Sequence, residues 1–201
     1  MRTKTPALKD RMIDAAGRLF GTQRFHEVRM EDIAAEAEVG KGTIYRYFSD
    51  KEELYLALLA RSSKQLLDRL EVDIGQVEGP RARLKVIVAA IIAFFDEQPH
   101  LLDLIQRAEV LRGPNFPWQK TRDQLLRLVL NLFEDARAQG EFVIRDPDLA
   151  VLMLLAGLRG VIRFGKRPRP RDLARRIVDA FLQGHAEKSS ALVNSYVGSE
   201  P

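Results

Sequence analysis

Seven consecutive residues, Lys41-Gly42-Thr43-Ile44-Tyr45-Arg46-Tyr47, set a cation, a glycine, a hydroxyl, two phenols and a guanidinium around one aliphatic side chain. Each suits contact with a nucleic acid for its own reason. Gly40 and Gly42 let the start of a helix, with its free amides and partial positive charge, come close to a phosphate. Lys41 adds a point charge at the same place. Thr43, Tyr45 and Tyr47 can donate to phosphate oxygens or touch base edges and thymine methyls. Arg46 is the side chain best built for a bidentate contact with guanine. Lys51, at the beginning of the next helical stretch, is placed to grip a flanking phosphate. The same string would also fit the surface of a small aromatic-rich helical bundle, so the composition of the segment alone does not decide its use.

Other chemistry finds little support. The chain has no cysteine, which removes disulfides, thiolate metal sites and thiol nucleophiles and leaves a reducing cytoplasm as the default. Histidines stand only at 26, 100 and 185, without the spacing of a metal-binding pair. No Gly-x-Ser-x-Gly elbow is present, and Gly40-Lys41-Gly42-Thr43 fails as a phosphate loop because Ala35 occupies the position of its first glycine. The sequence therefore predicts neither an enzyme nor a bound cofactor. A third possibility is a helical adaptor that uses the same segment for protein contacts.

The elements that must position these residues are helices. Apolar residues recur at three and four spacing throughout, with no period-two run, so the expected class is all-α. A first helix opens at Thr5-Pro6, buries Leu8, Met12, Ala15, Ala16, Leu19 and Phe20, and is expected to stop at Gly21. A second covers about 30–37 and a third 41–48, joined by a few residues around Glu38, Val39 and Gly40. That is a helix-turn-helix. Ser49-Asp50-Lys51-Glu52 predicts a capping box with the Ser49 hydroxyl and Glu52 carboxylate as its two halves, opening a long fourth helix to about 74. Further helices are expected at 80–97, 99–112, 117–139, 147–164 (capped by Asp146) and 171–184, about nine in all. Prolines 80, 99, 114, 117, 147, 168 and 170 fall at the breaks. The expected boundaries are a DNA-binding domain over 1–51, a helical domain over 52–186 and a frayed tail over 187–201.

At 201 residues and 46% hydrophobic content the chain can build a real core. Its longest apolar runs, Val86 to Phe95 and Leu149 to Leu158, are ten residues each, half of a bilayer crossing. Asp10, Arg11 and Asp14 interrupt any signal-peptide core, so the expectation is a cytoplasmic protein with no membrane partner. Net charge is +4, but residues 1–50 carry nine basic against eight acidic residues, and Arg159 to Arg176 carries eight basic residues against Asp172 alone. That cluster suits an acidic ligand group, a neighbouring acidic surface or a solvated loop, the last being the common fate of charge runs.

From Phe25 to Leu54 the string FHEVRMEDIAAEAEVGKGTIYRYFSDKEEL resembles the DNA-binding segment of the TetR (tetracycline-repressor) family of bacterial transcriptional regulators. The resemblance rests on Glu31-Asp32-Ile33-Ala34, Ala37-x-Val39, Lys41-Gly42-Thr43-Ile44-Tyr45-x-Tyr47-Phe48 and Lys51-Glu52-Glu53-Leu54. Three positions depart from the family pattern. Arg29 replaces a small hydroxyl cap, losing the cap and gaining a phosphate-directed cation. Glu38 replaces a turn glycine, which predicts a residue held at positive φ at about 1 kcal/mol. Gly40 replaces a frequent serine. The DNA-binding set implied is Arg29, Lys41, Gly42, Thr43, Tyr45, Arg46, Tyr47 and Lys51, acting on a palindromic double-stranded operator as a repressor or, with the same parts, an activator.

By the same resemblance the remainder should bind a small lipophilic effector and form a homodimer. The helices at 80–97 and 117–139 carry apolar residues on several faces, which suits either a cavity or solid core. Candidate lining residues are Ile91, Phe94, Phe95, Leu104, Phe116, Trp118 and Val129, with Gln106, Arg107 and Asn131 as polar anchors. Ala156, Gly157 and Gly160 allow close approach of another helix, and with Leu152, Ile177 and Phe181 they make the candidate dimer interface.

Overall fold

The structure, a computed structural model, describes residues 5–99, 101, 102, 105 and 117–187. Its helices are α1 (Pro6–Thr22), α2 (Met30–Glu36), α3 (Lys41–Tyr47), α4 (Lys51–Gly75), α5 (Pro80–Glu97), α6 (Pro117–Ala138), α7 (Pro147–Phe164) and α8 (Leu173–His185). The protein is all-α. Residues 101, 102 and 105 are helical and buried and Pro99, where the helix was expected to begin, is a turn, while the rest of the helix expected at 99–112 lies outside the described residues. Two strands of two residues each, β1 (Val143–Ile144) and β2 (Ala186–Glu187), pair antiparallel. Pairs this short leave no periodic signal in a sequence, so they were invisible to it. Glu187 is thus paired, and 188–201 lie outside the described residues.

Among the described residues two compact units form, one within 5–65 and 97–121 and the other within 66–96 and 122–187. In the first, α1 buries Met12, Ile13, Ala15, Ala16 and Phe20. It runs through Gly21 and ends at Thr22, where Gln23 turns extended and donates to the Leu19 carbonyl at 2.9 Å. A helical glycine costs about 1 kcal/mol, less than Phe20 recovers by stacking on Phe25 and Tyr55, so the expected stop is overridden.

The α2–α3 turn is a Schellman motif. Val39 N–H reaches the Ala34 carbonyl at 2.8 Å and Glu38 N–H the Ala35 carbonyl at 3.0 Å, which places Glu38 in the left-handed region at φ 53°. At the start of α2, Arg29 caps nothing because a guanidinium has no acceptor, but the Asp32 carboxylate accepts the Arg29 N–H at 2.8 Å. The cap of α4 differs from the expected Ser49–Glu52 pair. Asp50 accepts the Glu53 N–H at 2.7 Å and Glu53 accepts the Ser49 N–H at 2.6 Å. A carboxylate is the stronger acceptor and its charge complements the helix dipole, so the cap shifts by one residue.

In the second unit α5 buries Leu84, Ile87, Val88, Ile91, Ile92, Phe94 and Phe95. Asp146 caps α7 by accepting the Leu149 N–H at 3.0 Å. Among the described residues no helix is long and apolar enough to cross a membrane.

Candidate nucleic-acid interface

A seven-residue helix is too short to be stable alone, so α3 is held by what its inner face touches. Ile44, Tyr47 and, just beyond the helix, Phe48 are buried. The outer face carries Lys41, Gly42, Tyr45 and Arg46, with Thr43 half-buried at its edge. Glu31 on α2 takes the Lys41 ammonium at 2.7 Å, and the Lys41 nitrogen also lies 5.9 Å from the Tyr45 ring centre. This pair holds the Glu31 carboxyl below its usual range and the Lys41 ammonium above its own. Arg46 lies over the Tyr47 ring at 5.9 Å. It makes no hydrogen bond or ion pair with any described residue, which leaves its fork available to a ligand. Gly40, extended at φ −71° and ψ 151°, and Gly42 both have open space beside them. The Lys41 and Gly42 amides at the start of α3 therefore have no Cβ from Gly40 or Gly42 between them and an approaching anion, while the Thr43 amide is held by the Gly40 carbonyl at 2.8 Å.

Two residues of the expected set face inward. Tyr47 is only 8% exposed, and its hydroxyl accepts the Thr5 N–H at 2.7 Å, fixing the start of α1 to α3. Lys51 donates to the Phe25 carbonyl at 2.6 Å and the Val28 carbonyl at 2.8 Å, with its nitrogen 4.3 Å from the Phe25 ring centre. Burial pushes its ammonium below the ordinary lysine range. Arg29 is exposed just before α2. Sequence reasoning missed Glu31 as partner of Lys41, and also Arg61 on α4, whose guanidinium donates to Asp14 and to the Asp10 carbonyl on α1.

Residues 12–58 match the profile of "Bacterial regulatory proteins, tetR family". This segment is a TetR-family DNA-binding domain. Among relatives of the chain, the fatty acid metabolism regulator protein of Bacillus subtilis is 26% identical over 140 residues, 70% of this chain and 71% of that protein. The transcriptional repressor KstR of Rhodococcus jostii is 28% identical over 148 residues, 74% of this chain and 67% of that one. The solved structure of FadR from Bacillus subtilis, in complex with stearoyl-CoA, superposes with a TM-score of 0.72 at 19% identity, covering 87% of this chain and 98% of FadR. At that identity the likeness establishes the shared fold.

In the second unit, Ile91, Phe94, Phe95 and Val129 are all buried. Leu104, Gln106, Arg107 and Phe116 lie outside the described residues, as does the side chain of Trp118. Asn131 is exposed on α6, so it does not anchor anything in the interior of this unit. Of the six interface candidates, Leu152, Ala156 and Gly157 are exposed, Gly160 and Ile177 half-buried, and Phe181 buried, stacked on Phe133 with centroids 6.1 Å apart. Phe181 therefore serves the unit's own core.

Proposed function

We propose that this protein is a dimeric, ligand-responsive repressor of the TetR family whose α3 enters the major groove of each half of a palindromic operator. The observation that carries this is the outer face of α3. Lys41 and Arg46 stand on either side of Tyr45, above a helix start that two glycines leave open. Arg46 reads a base edge, Lys41 and the first-turn amides hold phosphate, and Thr43 and Tyr45 flank them, with Arg29 reaching the backbone from the start of α2. Tyr47 supports Arg46 from beneath.

Dimerisation is supported by α7. Leu149, Leu152 and Met153 are 52%, 48% and 48% exposed and continue along one side of the helix into Ala156, Gly157 and Gly160. The two glycines have open space beside them, which suits close approach of a second helix. The apolar surplus of α5 and α6 supports a lipophilic effector. The relatives named for fatty acid metabolism, one of them solved with stearoyl-CoA, make long-chain acyl thioesters the first class to test. Such an effector releases DNA only by binding the non-operator state more tightly.

The test is selection from genomic fragments with the purified protein, followed by anisotropy titration of the hits over a range of salt, with and without acyl thioesters. A palindrome bound by a dimer, with affinity falling steeply with salt and lost on adding the thioester, is expected. Enrichment of no sequence would reject the operator-binding reading and favour the adaptor alternative. A palindrome released by no thioester would reject the effector class alone.

A further inference from the structure

Phe164, in the last turn of α7, is 80% exposed, although an aromatic ring has much to gain from burial. At 3.6 residues per turn it lies on the same side of the helix as Leu149, Met153, Ala156, Gly157 and Gly160, all within about 50° of one line. Along that line the positions are symmetric about the gap between Ala156 and Gly157, and the sizes are complementary. Met153 stands three residues before Ala156 and Gly160 three after Gly157, while Leu149 stands seven before and Phe164 seven after. A two-fold axis through the gap sets Met153 of one copy over the open backbone at Gly160 of the other, and Leu149 of one against Phe164 of the other. Charge fixes the direction. The first turn of α7 carries Asp148 and its last turn Arg163, both exposed. Antiparallel neighbours bring each Asp148 within a turn of the other copy's Arg163 and oppose the two helix dipoles. A parallel pair instead stacks Met153 on Met153, leaves glycine facing glycine and sets Arg163 beside Arg163.

From this pattern we infer that a second copy of the chain seats on α7 in one antiparallel register, with the two-fold axis between Ala156 and Gly157, and that Phe164 closing on the other copy's Leu149 selects that register. The inference rests on the dimerisation reading above and adds to it the alignment and the residue that fixes it. Small residues at the centre let the two helix axes approach to about 8 Å, but they have little shape with which to tell one alignment from another. Discrimination therefore falls to the large side chains at the ends. A slip of one turn in either direction sets Phe164 or Leu149 of each copy beyond the end of the other helix, where its apolar surface stays in water.

The chain has no cysteine, so introduced thiols report position without background. Leu149→Cys and Phe164→Cys proteins, each alone and mixed after subunit exchange, are treated with a short bifunctional thiol reagent at concentrations where sedimentation velocity shows dimer. In the inferred register two copies of the same cysteine lie 15 positions apart along the helices, about 22 Å, while positions 149 and 164 face each other. Covalent dimer is expected from the mixture and from neither protein alone. Met153→Cys mixed with Gly160→Cys should repeat the pattern, which keeps the test alive if the end substitutions weaken the dimer. Phe164→Ala is expected to raise the dimer dissociation constant about tenfold or more with helix content unchanged, because the ring it removes is exposed in the lone chain. Crosslinking of each single variant with itself would mean a parallel pair and overturn the inference. A dimer in which neither mixture crosslinks would overturn the register and leave dimerisation standing, and an unchanged dissociation constant in Phe164→Ala would overturn the selecting role of the ring. Wild type sedimenting only as a monomer would reject the dimerisation reading and the inference with it.

Discussion

Gly42 separates stability from binding at the scale of one residue. Open space beside it means alanine there fits without a clash, and its higher helix propensity should raise stability by a few tenths to about 1 kcal/mol. The added methyl would also stand between the α3 amides and a phosphate. Gly42→Ala is therefore expected to melt higher and bind operator more weakly; tighter or unchanged binding would remove the close-approach role of the glycine. Glu31 makes the complementary case. On the proposed DNA-binding reading it would compete with phosphate for Lys41, so Glu31→Gln should tighten binding to operator and random DNA alike, read as lower Kd on both. The pair also has a pH signature. The folded Glu31 carboxyl titrates below its unfolded value, so its stabilising effect is present above the unfolded pKa and is lost as pH falls through the lowered one. In Lys41→Ala, the Glu31 titration followed by NMR should move back up toward 4.5.

At the scale of elements, the α2–α3 turn carries strain and the α7–α8 connection carries a clamp. Glu38 at φ 53° is a side chain in a conformation that favours glycine. Glu38→Gly should exceed Glu38→Ala in stability by about 1 kcal/mol in denaturant titrations, and equal values would mean the turn relaxes at no cost. The clamp is Arg169. Its side chain is 9% exposed, pairs with both oxygens of Asp96 near the end of α5, and donates to the last carbonyls of α7, Val161 and Ile162, both at 2.9 Å. Arg167 joins the same carboxylate at 3.0 Å, and Arg175 pairs with Asp172 and Asp179. The Arg159 to Arg176 cluster is thus in large part internal wiring rather than a free charged loop. Arg169→Leu should cost about 2 kcal/mol or more, and Arg169→Lys should recover little of it because three N–H groups on a single nitrogen cannot span both oxygens of a carboxylate and two carbonyls at once. A melting temperature unchanged in Arg169→Leu would contradict this account.

For the whole molecule, the exposed apolar side of α7 is the feature that a lone chain does not explain. Leu152→Arg combined with Met153→Glu should give a folded monomer by sedimentation velocity, with helix content retained and operator affinity reduced because paired half-sites need paired subunits. A dimer that survives both changes would move the interface elsewhere. The same substitutions leave the first unit untouched, so any residual weak DNA binding measures one recognition helix alone.

The positions of the described helices to within about two residues, the Asp146 cap, the left-handed Glu38 and the outward Lys41, Gly42, Tyr45 and Arg46 were legible in the sequence because each depends on residues within a turn or two of one another. The inward fate of Tyr47, Lys51 and Arg169 was not, since their partners are 42, 26 and 73 residues away. Sequence determined where the chain would coil and which side chains carried charge. Only the tertiary structure decided which of those charges remain for a ligand and which are consumed in holding the helices, because a cation has the same local pattern whether it meets water or a distant carbonyl.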